Sequence, residues 1–99
     1  MLPTSFQFVM SMPGDSRLVA AVRDLTAHAA TYANCAADVS ARFAQQVADA
    51  TESAIGAAGP QDAPMEFRFH GDARVVRVTI TWSQNGSRAS RQVEQPLSA

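Results

Sequence analysis

The chain has 99 residues, a formal net charge of −1 and a hydrophobic fraction of 46%. That length suits one domain, and the near-neutral charge argues against a nucleic-acid binder that neutralises phosphates or a polybasic membrane surface. The single cysteine, Cys35, cannot pair within these residues, and no second Cys or His stands at metal-ligand spacing, so neither a metal nor a cofactor is expected.

The opening MLPTSFQFVMSMPGD has no basic n-region and no long apolar run. No apolar run approaches the roughly 20 residues of a membrane span. A cytoplasmic location without membrane contact is the expectation. His28 and His70 stand isolated and read as surface or turn residues.

"FQFVMSM" alternates Phe6, Phe8, Met10 and Met12 against Gln7, Val9 and Ser11, the period of a strand with one buried face. Pro13 and Gly14 stop it, and Asp15 or Ser16 supplies an N-cap oxygen for a helix over about 16–33. Leu18, Val22, Leu25, Ala29 and Tyr32 make its apolar stripe, widened by Val19. Asn34 suits the break. A second helix spans about 36–57, with Val39, Phe43, Val47, Ala50 and Ala54 as its stripe. Its small residues, Ala44 and Ala48 among them, permit close approach of a neighbour. Gly56, Gly59 and Pro60 end it, and "GPQDAP" is a short loop.

Then Met65, Phe67 and Phe69 alternate with Glu66, Arg68 and His70, and Val76, Val78, Ile80 and Trp82 alternate with Arg77, Thr79 and Thr81. Gly71-Asp72 joins these runs as a hairpin, with glycine available for positive φ. Asn85-Gly86 offers a second turn. The polar "RASRQVE" beyond it reads either as a short edge strand or as a loose tail, and Pro96 ends any strand there.

The order strand-helix-helix-strand-strand, with a fourth edge strand left open, predicts an α+β two-layer sandwich. Two helices cover one face of a small, mainly antiparallel sheet. One domain over 1–94 with a tail over 95–99 follows. The uncovered face would carry Gln7, Ser11, Glu66, Arg68, Arg77, Thr79 and Thr81, turned to water or a partner.

In this order, "SFQFVMSMPGDSRLVAAVRDLTAHAA" followed by "FAQQVADATESAIGAAG" resembles the opening half of the anti-sigma regulatory factors, members of the histidine-kinase-like (GHKL) ATPase superfamily. The resemblance covers roughly the first 60 residues. It implies a strand ending near a proline, a first helix with a Leu-Val-x-x-Val-Arg-like run, and a second helix carrying Glu-x-x-x-Asn. In that family the glutamate orients or deprotonates water and the asparagine holds Mg²⁺. Here Asp49 stands at the glutamate position and Ser53 at the asparagine position. Ala57 stands where the anti-sigma factors often have a histidine. The Asp-x-Gly-x-Gly that holds adenine has no match: Trp82 falls near the aspartate position, only Gly86 remains of the glycines, and these residues hold no counterpart of the lid.

Asp49 and Ser53 therefore read as vestigial candidates on the outer edge of an alanine-rich helix. Trp82 reads as the last core residue of its strand, and Cys35 as structural. Arg68, Arg74, Arg77, Arg88 and Arg91 read as a solvated sheet face, with an acidic partner surface as the alternative. The expectation is a non-enzymatic protein–protein interaction module on a reduced GHKL-like scaffold. The resemblance implies bacterial regulation, with a sigma factor or its antagonist as partner, and a homodimer is a further option. The rivals are an ATPase or serine kinase using Asp49 as base and Ser53 for Mg²⁺, and an unrelated small-ligand-binding or dimerisation domain.

Overall fold

The computed structural model describes residues 5–33, 35–58, 64–72, 74–84 and 86–96. Strand β1 (Phe6–Met12) leads through a 3-10 turn (Ser16–Leu18) into α1 (Val19–Tyr32) and then α2 (Ala37–Ala58). Strands β2 (Met65–Gly71), β3 (Val75–Gln84) and β4 (Ser87–Pro96) follow. The four strands form one sheet in the order β1-β2-β3-β4, every neighbour antiparallel. This is the expected α+β sandwich, with the fourth strand present and fully paired from Ser87 to Pro96. The expected tail boundary at residue 94 therefore falls inside β4. The break at Asn34, the Gly59–Pro60 stop, most of the "GPQDAP" loop, Asn85 and the side chain of Ala57 lie outside the described residues.

Strict alternation puts Met65, Phe67 and Phe69 of β2 and Val76, Val78, Ile80 and Trp82 of β3 on one buried face. Both helices lie on that face. α2 rests over β3 and β4, and α1 over β2. Phe43, Val47, Ala50 and Ala54 of α2 join Val22, Ala29, Ala30 and Ala33 of the α1 side in one apolar cluster with these strand residues. Ala44 and Ala48 are buried as well, consistent with small side chains admitting a close neighbour.

The helix starts are set by local chemistry. Asp15 caps the 3-10 turn, its Oδ1 accepting from the Arg17 backbone N–H at 2.9 Å. Asp38 puts a carboxylate in the first turn of α2, where the helix dipole favours negative charge.

Three expectations are corrected. The buried stripe of α1 runs through Val19, Val22, Thr26, Ala29 and Ala30, while Leu18 and Leu25 are half-buried and Tyr32 is 67% exposed. Thr26 tolerates burial because its hydroxyl donates to the Val22 carbonyl at 2.7 Å, and Thr51 does the same with Val47. Gly56 does not stop α2, which continues through it to Ala58. Gly71 belongs to β2 and supplies no positive φ. The β2–β3 turn is instead tied by Asp72, whose Oδ1 accepts from the Arg74 and Val75 backbone N–H groups at 2.7 and 3.0 Å. At the β3–β4 turn the expected positive φ is found, at Gly86 (79°).

Candidate functional site

Asp49 and Ser53, the two positions the family resemblance singles out, are both exposed on the outer side of α2. Asp49 accepts a hydrogen bond from Gln45 Nε2 at 2.9 Å, an ordinary i,i+4 surface contact. Among the described residues no group of three His, Cys, Asp or Glu could hold a metal ion. Trp82, 8% exposed, is a core residue whose Nε1 donates to Gln84 Oε1 at 3.2 Å. Cys35 packs half-buried against the core, and burial pushes its thiol pKa up, away from the reactive thiolate.

Two surfaces concentrate chemistry. The first is the β1 margin. The helices rest mainly over β2, β3 and β4, while β1 places Met12 in the core and packs Phe6 and Met10 against it. Phe8 sits on the helix side, directly across the ladder from Phe69, with the two rings stacked at 4.7 Å and 11°. It is still 38% exposed, and Val9 on the opposite side is 49% exposed. Tyr32 meets the Phe6 ring edge-on at 5.5 Å. Among the described residues no strand pairs with the outer edge of β1.

The two sheet edges differ in kind. β4 carries Arg88, Arg91, Glu94 and Pro96, the charges and proline that discourage further pairing. β1, with the sequence FQFVMSM, has no charge, proline or glycine. Among the described residues it therefore keeps an unpaired ladder edge with none of those guards.

The second surface is the uncovered face of the sheet. Cross-strand register arranges it in rows. Gln7, His70, Arg77 and Glu94 form one, and Val9, Arg68, Thr79 and Gln92 the next. Ser11, Glu66, Thr81 and Ser90 form the third. A groove of about 410 Å³ lies across these rows, lined by Gln7, Glu66, Arg68, His70, Arg77, Thr79, Thr81 and Gln92. The basic groups have acidic companions at its margins. Arg77 Nη2 donates to Glu94 Oε2 at 3.2 Å, Arg68 Nη2 lies 3.7 Å from Glu66 Oε1, and His70 Nε2 lies 3.4 Å from Asp72 Oδ2. The Asp72 carboxyl is held below its usual range, first by the Arg74 and Val75 backbone N–H groups and then by His70. Asp72 is thus ionised and acceptor-only near neutrality, so His70 Nε2 is the donor in this contact.

Of the five arginines grouped in the sequence, the fold brings together only Arg68 and Arg77 in the groove. Arg88 pairs opposite Ser83 at the far end of the strands, Arg91 opposite the core residue Ile80 on the helix side, and Arg74 sits in the β2–β3 turn. His70, isolated in sequence, enters the site because register sets it opposite Arg77. Gln92 enters by facing Thr79, to whose Oγ1 its Nε2 donates at 3.4 Å.

No protein-family model matches the chain, and no curated protein matches it. No described helix is long and apolar enough to cross a membrane.

Proposed function

We propose that the protein is a non-enzymatic interaction module that works through the open edge of β1, where it pairs with β1 of a second copy. The observation that carries this reading is the contrast between the guarded β4 edge and the charge-free β1 edge, with which no described strand pairs on its outer side. Strand addition recruits main-chain hydrogen bonds for affinity and flanking side chains for specificity. A two-fold axis at Val9 sets each strand antiparallel to its twin, so Phe6, Phe8, Met10 and Met12 meet Met12, Met10, Phe8 and Phe6 on one side. No like charges fall opposite each other, since the strand has none.

The resemblance to anti-sigma factors supports a regulatory role on a reduced GHKL-like scaffold. In this reading a sigma factor or its antagonist engages the exposed helix faces. Both helices covering one sheet face is compatible with that scaffold. The outward, surface-type environment of Asp49 and Ser53 favours binding over phosphoryl chemistry.

Sedimentation equilibrium tests the pairing. A dimer is expected at about 100 µM protein, and Val9→Lys, which puts a charge in mid-strand, should return it to monomer. A monomer at that concentration, or a dimer indifferent to Val9→Lys, overturns the β1 reading. Thermal stabilisation by ATP with Mg²⁺ that vanishes in Asp49→Ala overturns the non-enzymatic one.

A further inference from the structure

The groove on the uncovered sheet face has the chemistry of a ligand site, and it does not depend on the pairing of β1. Its lining carries two guanidiniums, Arg68 and Arg77, against one carboxylate, Glu66. Arg77 and His70 face each other across β2 and β3, and Arg68 stands two residues from His70 on the same side of β2. Three basic side chains thus adjoin at the centre of the face.

Their internal partners leave capacity unused. Arg77 spends one N–H on Glu94, but its Nε is buried and has no hydrogen-bond partner among the described residues. A buried donor left unpaired is unfavourable, and an acceptor arriving from outside relieves it. The Arg68–Glu66 approach, at 3.7 Å, is an ion pair too long for a hydrogen bond, so the Arg68 fork retains its donors. Guanidinium forks match the planar or tetrahedral oxygens of carboxylates and phosphates. Around them Gln7 and Thr81 make no hydrogen bond among the described side chains, leaving neutral donors and acceptors for the rest of a ligand. The volume, about 410 Å³, lies in the range of small-molecule pockets.

We infer that this face binds a small polar molecule through an oxyanion, a carboxylate or phosphate group held by Arg77 and Arg68. The amide of Gln7 and the hydroxyl of Thr81 orient the molecule's uncharged part. Arg68 exchanges a loose ion pair for a charge-assisted hydrogen bond, and the ligand supplies the acceptor that Arg77 Nε lacks among the described residues.

Two-dimensional NMR titration of the full chain tests this, with inorganic phosphate and succinate as separate probes at constant ionic strength. Saturable shifts are expected at the Arg77 Nε–H and at the Thr79, Thr81 and Gln92 amides. The stronger of the two probes identifies the oxyanion. Arg77→Gln and Arg68→Gln, each checked for an unchanged fold by its spectrum, should each weaken binding about tenfold or more. Arg91→Gln, on the opposite side of the sheet, should leave it unchanged. The inference is overturned if neither probe gives saturable shifts up to about 10 mM, or if the shifts survive both groove substitutions, or if Arg91→Gln weakens binding equally.

Discussion

The ring of Phe6 lies over Gly71, its partner in the β1–β2 ladder, in the space a Cβ at residue 71 would occupy. Glycine is needed here for close approach and not for backbone freedom. Gly71→Ala should push the Phe6 ring off its seat, disturbing its contacts with Tyr32 and Phe8. Overpacking of this kind costs about 1–3 kcal/mol, a melting-temperature loss of very roughly 4–20 °C at this size. A double-mutant cycle isolates the cause: in a Phe6→Ala background the same substitution should cost much less. An undiminished cost in that background would show that the clash lies elsewhere.

Gly56 is the opposite case. It sits exposed inside α2, and a Cβ there would meet nothing within 4 Å. Gly56→Ala should stabilise the protein by about 0.5–1 kcal/mol, through helix propensity and a less flexible unfolded chain. Urea denaturation should show a higher midpoint at unchanged slope. A lower midpoint would mean that the helix is under some constraint at this residue.

These glycines show which features the sequence made legible. Alternation in "MEFRFH" and "VVRVTITW" identified two strands and their buried faces, because both strands lie under helices and need an apolar side. β4 was ambiguous for a physical reason. As an edge strand it contributes only Ala89 and Val93 to the margin of the core, so its sequence carries little alternation. Gly56 looked like a stop and Gly71 like a turn residue, since identity alone does not reveal whether a glycine is helical, crowded or turning. In α1, polar Thr26 hid a buried position by satisfying its own hydroxyl within the helix. The uncovered face was largely readable, with Gln7, Glu66, Arg68, Arg77, Thr79 and Thr81 all assigned to it. The grouping of His70 with Arg77, and of Gln92 with Thr79, was not, because it depends on register between strands.

Substitution at Asp49 separates surface from site. Among the described residues its carboxylate has one hydrogen-bond partner, the exposed Gln45. Asp49→Ala should therefore change stability by no more than about 0.5 kcal/mol, as expected for an exposed position. Ser53→Ala should behave alike. In differential scanning fluorimetry both variants should match the parent chain with and without ATP and Mg²⁺. A nucleotide-dependent gap between parent and variant would return these residues to catalytic candidacy.

Acid stability should depend on two aspartates at turns, in distinguishable ways. The Asp15 carboxyl is lowered from 3.8 to about 2, chiefly by side-chain hydrogen bonds from Arg17 and then by the Arg17 backbone N–H. Asp72 is lowered too, mainly by the Arg74 and Val75 backbone N–H groups. A carboxyl with a depressed folded-state pKa binds its proton more readily when unfolded. Its contribution is therefore complete above the unfolded value near 3.8 and is lost as pH falls through the folded value, about 2 for Asp15. Thermal melts across this window should show stability falling with pH, with a shallower fall in Asp15→Asn and in Asp72→Asn. Salt should tell the two apart. The Arg17 guanidinium opposite Asp15 is 87% exposed, so added salt screens that pair. The Asp72 contribution rests on short hydrogen bonds from backbone amides and should persist in salt. If 0.5 M salt abolished the Asp72-dependent part of the slope as fully as the Asp15 part, the turn would be held by general electrostatics and not by those two amide bonds.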